Sequence, residues 1–556
     1  MVIKEIFEAI SKSVLNLIKI RLKIFVILIQ LTYIKGIFGF NVAPEATYVT
    51  LLVGAPLANS SGSDGIYQPG AFYKCLIDKP VKGCQEIYLD KSRNFVSDGQ
   101  GKVPFRNNAW TGAAFDIDND GNVLVCAPRW KNAYYAGEYR VNGACYLLGQ
   151  DLKNNSALFI DPLLNSGNQI YSFFGKGVYY YAHGQTGMAV HFTKDSELLL
   201  GSPGVLNWQG SVAKLIRQVN LPAGGIRRRR EASFLYSTRV IPNPFRTSNI
   251  QDSNFFGYSV TSGKFSDNGG TYYVGGAPRG ASSRGMVLIF FTRDFEEMPL
   301  NITNLIEGTQ LGEYFGASVG TPDLNGDGLS DLVVGSPLHS VEGFYDVGCI
   351  YVFKSLKDTG ELEANGIQLF GDISQGARFG LALGTPGDLD NDGYEDFLVG
   401  APYENEDESK GPSGAVYVFM GSGNGVRQKF SQKLLPEKVS QSVTLKGFGV
   451  SFSRPLDVDK NTYPDFAVGS FLSDTVVLMS TRPVITARGE LSANPSKLSL
   501  DKNFFTLTTC LSYEGEVFTE IAFMAHVFLS QESESGEILI KQQNSNWQSI
   551  KNRPES

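Results

Sequence analysis

The hydrophobic positions of this chain fall in short runs, each stopped by glycine or proline. Seven are alike: 50–56 (TLLVGAP), 122–128 (NVLVCAP), 198–203 (LLLGSP), 272–278 (YYVGGAP), 331–337 (DLVVGSP), 396–402 (DFLVGAP) and 465–470 (DFAVGS). Runs this short, aliphatic and often β-branched, with a breaker at the end, predict strands. A second apolar run follows in most of them, as at 70–75, 143–148, 285–290, 348–353 and 414–419. Ahead of each first run stands an aromatic-glycine pair: Phe38-Gly39, Trp110-Thr-Gly112, Phe256-Gly257, Phe315-Gly316, Phe379-Gly380 and Phe448-Gly449, with Thr186-Gly187 as a weaker member. The unit recurs every 60 to 75 residues or so. A repeat of this size holding several strands is one blade of a β-propeller, and seven blades close a ring that leaves no exposed sheet edge. The expected fold is therefore all-β, a seven-bladed β-propeller. The alternative is a β-solenoid, against which the blade-like strand spacing speaks.

Polar positions interrupt the pattern at one phase of the repeat. From the glycine of the pair to the closing triplet, repeats 1–3 take 14 or 15 residues and repeats 4–7 take 19 or 20. Three of the longer ones carry an acidic loop. The first has Asp323, Asn325 and Asp327 on alternate positions and a closing Asp331. The second has Asp388, Asp390, Asp392 and Asp396, and the third Asp457, Asp459, Asn461 and Asp465. Calcium takes roughly six to eight hard oxygen ligands. Side chains at positions 1, 3 and 5, the backbone carbonyl of position 7 (Leu329, Tyr394, Tyr463) and a bidentate ninth-position aspartate would supply them. Three Ca2+ sites are expected. Repeat 4 has the length but carries Lys264 at the first position and Tyr272 at the last, so it is expected to be metal-free. Repeat 2 has Asp116 to Gly121 but no ninth aspartate, because a strand begins at Val123. A ligand set saturated by the protein leaves no open position for a substrate, so the expected role of the ions is structural.

Composition adds bounds. A chain of 556 residues is long enough for more than one domain. With 49 basic against 56 acidic residues, a nucleic-acid partner is not expected. Four histidines, His183, His191, His339 and His526, form no catalytic motif, and no enzyme activity is expected. Cys75 lies near Cys84 and Cys126 near Cys145, and each pair suits a small disulfide loop in an extracellular chain. Cys349 and Cys510 have no mate nearby. Glycosylation sequons at Asn59, Asn154 and Asn301 fit the same context. Residues 1–35 read as a targeting segment, with an apolar run at 24–31 after Arg21 and Lys23. No later stretch reaches the ~18 apolar residues of a membrane span. The run 227–230 (RRRR) reads as a solvated loop, with a protease site or a contact for an acidic ligand as alternatives.

The aromatic-glycine and Gly-Ala-Pro repeats, with acidic loops in the last three, resemble the head of an integrin alpha subunit. The resemblance runs over about residues 37–530. The segment 126–130 (CAPRW) with Cys145-Tyr146 is similar to the second blade and its disulfide, and 201–210 (GSPGVLNWQG) to the third blade. The segment 481–485 (TRPVI) resembles the exit from blade 7, and 491–499 (LSANPSKLS) the start of an immunoglobulin-like thigh domain. The implied organisation is a targeting segment at 1–35, the propeller at 36–484 and a partial β-sandwich thigh at 485–556. The lower leg, the membrane helix and the cytoplasmic tail have no counterpart, so the chain reads as a fragment.

The resemblance implies a cell-surface adhesion receptor, single-pass in its full-length form, that pairs with an integrin beta subunit and binds an extracellular matrix protein. With no large insertion between repeats 2 and 3, the extra ligand-binding domain of some members is not expected. Trp110, Phe255, Phe315 and Phe379 match the aromatics that cage a basic side chain of the beta subunit through cation–π contact, with a place in the propeller core as the equal alternative. Ligand contacts map to Asn207, Trp208 and Asp252. Asn207 ahead of Trp208, where Arg-Gly-Asp readers tend to have an aromatic, and a metal-free blade 4 favour a laminin-type ligand. An Arg-Gly-Asp ligand, or a non-integrin extracellular scaffold of the same repeats, is the alternative.

Overall fold

The computed structural model describes residues 49–482, except 62–65, 78–83, 90–94, 98–101, 105, 136–137, 165–168, 174–175, 218–235, 242–252, 268, 293–299, 358–360, 406–410 and 441. It also describes the strands Phe25–Gln30, Phe38–Asn41, Thr486–Asn494, Thr506–Glu514, Val527–Glu532 and Ile538–Gln543. Asp252 and residues 227–230 lie outside the described residues, as does most of the expected targeting segment.

The repeats fold into seven antiparallel sheets of four strands. Blade 1 has Phe38–Asn41, Thr50–Ala55, Ala71–Leu76 and Cys84–Glu86; blade 5 has Ser318–Gly320, Leu332–Ser336, Cys349–Phe353 and Ile367–Leu369. Blades 2, 3, 4 and 6 begin with Ala114–Ile117, Val190–Phe192, Ser259–Gly263 and Ala382–Gly387. Each first strand packs beside the first strand of the next blade, and Phe448–Phe452 of blade 7 packs beside Phe38–Asn41, closing the circle. The molecule is a seven-bladed β-propeller.

Blade 7 takes its fourth strand from the other end of the chain: Phe25–Gln30 pairs antiparallel with Thr475–Ser480. This revises the expectation for the run 24–31, which was assigned to targeting. A continuous apolar run of this length is consistent with a buried strand as well as with a targeting segment, and composition alone does not separate them.

The core is divided among the blade interfaces. Leu52 and Phe72 of blade 1 pack with Val125 and Tyr146 of blade 2; Val333 and Ile350 of blade 5 pack with Val399 and Tyr417 of blade 6; Val53 of blade 1 packs with Val476 and Leu478 of blade 7. The middle strands are buried on both faces, which is why they read as unbroken apolar runs: every residue of Leu332–Ser336 and Asp396–Ala401 is buried. Disulfides join Cys75 to Cys84 and Cys126 to Cys145, each pair standing opposite on neighbouring strands. Cys349 is a buried free thiol, pushed up to about 12 chiefly by burial.

The two glycine motifs meet between blades. A Cβ placed on Gly335 of blade 5 would lie 2.1 Å from the carbonyl oxygen of Gly380 in blade 6; the same holds for Gly276 against Gly316 and, at 1.8 Å, for Gly400 against Gly449. The glycine of the aromatic-glycine pair is left-handed, with φ of 89° at Gly316 and 88° at Gly380. Parallel bridges lock the same junctions, joining Gly348 to Phe379 and Gly414 to Phe448.

The innermost strands also meet through a polar cluster in the middle of the ring. Arg454, just past the first strand of blade 7, donates to Asp116 of blade 2 and to the Phe192 carbonyl of blade 3. Asp116 accepts the Phe192 amide, and His191 Nε2 lies 2.8 Å from Ser262 Oγ of blade 4. Burial pushes His191 down to about 4, with Asp116 opposing the shift and Arg454 adding to it.

A second compact unit contains residues 481–556. Two antiparallel hairpins are described in it, Thr486–Asn494 with Thr506–Glu514 and Val527–Glu532 with Ile538–Gln543.

Two predictions follow from these contacts. Gly335→Ala should cost about 3 kcal/mol, because backbone must move to admit the methyl. Gly343→Ala, with a φ of 83° and nothing near its Cβ, should cost only the left-handed strain of about 1 kcal/mol. Denaturant titration compares them, and equal costs would refute the packing argument. His191 binds fewer protons folded than unfolded between its native value of about 4 and its ordinary 6.5, so its contribution to stability falls as pH drops through that window. Between pH 7 and 4.5, His191→Gln should lose about 2 kcal/mol less than the parent chain; parallel losses would contradict the assignment.

Candidate metal loops and the opposite face

The strand order fixes two ends for every blade. First strands run from the aromatic-glycine pair to the acidic loop, and second strands return to the Gly-Ala-Pro triplet. The loops therefore sit at one end of the ring, and the glycine motifs sit at the other.

The three loops share one internal scheme. The first aspartate accepts backbone amides of its own loop: Asp323 from Gly326, Asp327 and Gly328, Asp388 from Asp392 and Gly393, and Asp457 from Asn461 and Thr462. The fifth position accepts the amide of the seventh, as Asp327 does from Leu329, Asp392 from Tyr394 and Asn461 from Tyr463. The closing aspartate accepts the amide of the second position, at 3.1 Å for Asp331 from Leu324, 2.7 Å for Asp396 from Leu389 and 2.9 Å for Asp465 from Val458. To coil this tightly the loop turns left-handed at positions 4 and 6, which are Gly326 and Gly328, Asn391 and Gly393, and Lys460 and Thr462.

The loops gather negative charge. Carboxylate oxygens of Asp388, Asp390 and Asp392 lie within 4.8 Å of one another, as do those of Asp457, Asp459 and Asp465. Burial, with Asp390 and Asp388 adding repulsion, pushes Asp396 up to about 8 against hydrogen bonds from Gly421 and Leu389 that pull it back. Burial likewise pushes Asp331 up to about 7 and Asp390 up to about 6. Asp390 Oδ1 is buried with no hydrogen-bond partner. Buried carboxylates beside further carboxylates are costly until a cation joins them. The donors are carboxylate and amide oxygens, the hard set that suits calcium. In repeat 4 the Lys264 ammonium lies near Asp267. In repeat 2, Asp118 is taken up by the amides of Asp120 and Asn122, and Asp116 by the polar cluster.

Among the described residues, one other cluster has metal-ligating side chains: Glu313, His339 and Cys349 of blade 5. Here the Glu313 carboxylate already accepts the amides of Thr309 and Gln310, the Tyr351 hydroxyl and a contact from His339 Nδ1. It is a satisfied buried network, with Gln368 bonded to Cys349 and Tyr351.

At the glycine end, the residue two before the glycine of the pair is left-handed in blades 2 to 6, at Trp110, Gln185, Phe255, Tyr314 and Arg378. These half-buried side chains form a ring. Arg129 lies over the Trp110 ring at 4.7 Å, Arg279 over Phe255 at 5.2 Å and Arg378 over Tyr403 at 4.9 Å. Trp208 is 37% exposed and stacks on His183, and its carbonyl accepts the Phe255 amide. Asn207 adjoins it in a left-handed turn. Further exposed apolar side chains, Tyr67, Leu311, Tyr345, Ile373 and Leu472, lie in the connections at this same end.

FG-GAP repeats match at residues 315–353 and 379–419. The chain is 32% identical over 501 residues to integrin alpha-4 of Xenopus laevis, covering 86% of this chain and 44% of that protein. It is 32% identical over 531 residues to integrin alpha-V of Gallus gallus, covering 90% and 47%, and 31% identical over 508 residues to integrin alpha-PS3 of Drosophila melanogaster, covering 85% and 43%.

The chain is a homologue of the integrin alpha subunits. It spans less than half the length of these curated relatives. Integrin alpha subunits are not enzymes, in line with the reading of the histidines.

Two cage residues expected from the integrin resemblance are misplaced by one position. Phe315 and Phe379 are each 1% exposed and pack between blades, Phe315 against Tyr351 and Phe379 against Tyr417. Tyr314 and Arg378 occupy the ring positions instead, in register with Trp110 and Phe255. Counting back two residues from each glycine would have found them. Among the sequons, Asn59 and Asn154 are exposed, whereas the amide nitrogen of Asn301, to which a glycan would attach, is buried.

Position 6 of the third loop is a β-branched Thr462 with a φ of 71°, where the other two loops have glycine. Thr462→Gly should therefore raise stability by about 1 kcal/mol, measured by denaturant titration in calcium. A loss of stability would contradict the strain.

Proposed function

We propose that the chain is the head of a cell-surface adhesion receptor, an integrin alpha subunit that pairs with a beta subunit across the glycine end of its propeller. The observation that carries this is the set of half-buried side chains at that end, aromatic at Trp110, Phe255 and Tyr314, in a chain homologous to integrin alpha subunits over most of its length. The partner's basic side chain would enter the ring over Trp110 and Phe255. Arg129 and Arg279 already lie there, so pairing would exchange one cation–π contact for another. The exposed apolar side chains around it would extend the contact. Calcium in the loops of blades 5, 6 and 7 would serve structurally, each ion holding its loop against the second strand of its blade and neutralising the closing aspartate. Residues 485–556 would begin an immunoglobulin-like thigh domain. Among the described residues no helix is long and apolar enough to cross a membrane.

The finer proposal is a laminin-type matrix ligand, contacted around Asn207 and Trp208. The exposure of Trp208 and its backbone bond to Phe255 support a contact next to the ring. Asp252, the remaining expected contact, lies outside the described residues.

Co-expression with a beta subunit of the same organism, followed by size-exclusion chromatography in calcium, tests the pairing. Trp110→Ala and Tyr314→Ala should each weaken it roughly tenfold and leave the melting temperature unchanged. Phe315→Ala should instead cost about 3–5 kcal/mol of stability. A chain that pairs with no beta subunit would refute the proposal. In solid-phase binding the pair should hold laminin without competition from an Arg-Gly-Asp peptide; strong competition would replace the laminin assignment.

A further inference from the structure

The acidic loops are not isolated from one another. At two junctions the eighth residue of one loop grips the first position of the loop before it. The Asp323 amide donates to Glu395 Oε2 at 3.0 Å, and the Glu395 amide donates to the Asp323 carbonyl at 3.0 Å. One junction earlier, the Lys264 amide donates to Ser330 Oγ at 3.1 Å and the Ser330 amide donates to the Lys264 carbonyl at 2.7 Å. The blade 5–6 junction has a further tie. Gly421 donates to Asp396, while the next residue, Ser422, donates to the Leu324 carbonyl in the blade 5 loop. At the blade 6–7 junction the eighth position is Pro464, which has no amide hydrogen to give and no side-chain oxygen.

We infer that the calcium loops of blades 5 and 6 bind as a coupled pair, with Glu395 as the positioning residue between them, a clamp that Pro464 cannot make for the loop of blade 7. The inference rests on the calcium reading of the loops. An ion in the blade 6 loop fixes Asp392, Tyr394 and Asp396, and so fixes Glu395 between the last two. Glu395 in turn holds the backbone of Asp323, the first ligand position of the blade 5 loop. By linkage, an ion in blade 5 favours the blade 6 loop by the same factor. The same pair of bonds holds the Lys264 loop of blade 4 to blade 5.

Calcium is titrated calorimetrically into the whole chain and its variants, with far-UV circular dichroism to check that each remains folded. With the blade 7 loop disabled by Asp457→Ala, the two remaining sites should bind with a Hill slope above 1. With blade 6 disabled by Asp388→Ala, the blade 5 site should bind on the order of tenfold more weakly than it does when blade 7 is disabled. In the Asp457→Ala background, Glu395→Ala should abolish the cooperativity with both sites still filling. Glu395→Gln, which keeps an acceptor for the Asp323 amide, should retain it. Glu395→Pro, which copies the Tyr463-Pro464-Asp465 sequence of blade 7, should make the sites independent. Unchanged affinity at blade 5 when blade 6 is disabled would overturn the coupling, cooperativity that survives Glu395→Ala would overturn the role of Glu395, and either would leave the calcium reading standing. A parent chain that takes up no calcium would overturn both.

Discussion

The close approach of backbone to backbone between blades is the constraint on which the rest depends. At Gly335, Gly276 and Gly400 the carbonyl oxygen of the next blade sits where any side chain would be, and the parallel bridges at Phe379 and Phe448 lock the junction. That approach sets the wedge angle between sheets. It also lets the middle strands be buried on both faces, so the apolar core can be shared among the interfaces. A ring built this way leaves only the short edges of its four-stranded blades, and its last sheet is completed by a strand from near the chain start.

The same junction explains why the motif reads as it does. The aromatic of the pair fills the wedge beside the glycine contact, as Phe315 and Phe379 do, and the left-handed glycine after it redirects the chain into the first strand. The residue before the aromatic is thereby turned outward, also left-handed. A single register thus separates core from surface, and shifting it by one residue exchanges the two sets. Of the four cage candidates, Trp110 and Phe255 stand two before their glycine and are half-buried, whereas Phe315 and Phe379 stand one before it and are core.

Much was legible because repetition amplifies weak signals. One acidic turn such as 323–331 says little; three at the same phase stand out as a shared feature, and the three loops fold with the same internal hydrogen bonds. The seven strands ending in glycine and proline were legible for the same reason, and the two local cysteine pairs are disulfides. What was hidden lacks periodicity. The closing strand Phe25–Gln30 pairs across almost the whole propeller sequence, and its apolar run has the composition of a targeting segment. The polar cluster of Asp116, His191, Ser262 and Arg454 joins four blades through residues that share no motif. Nor does any local pattern announce that the Asn301 amide is buried.

The antiparallel blade also separates the two kinds of chemistry by construction. Every first strand carries the chain from the glycine end to the loop end, so charge placed in the loops is a full strand length from the aromatic ring. Exposed charges that far apart are largely screened from each other, whereas loops at the same end lie within bonding reach. Communication along the loop end is therefore by direct contact, as between Asp323 and Glu395, and communication between ends must pass through the packed strands. The buried middle strands are the stiffest path available, since they are close-packed on both faces. An ion that braces a loop consequently acts on the far face only by fixing the tilt of its blade, and that tilt is set by the glycine contact at the other end of the same strand.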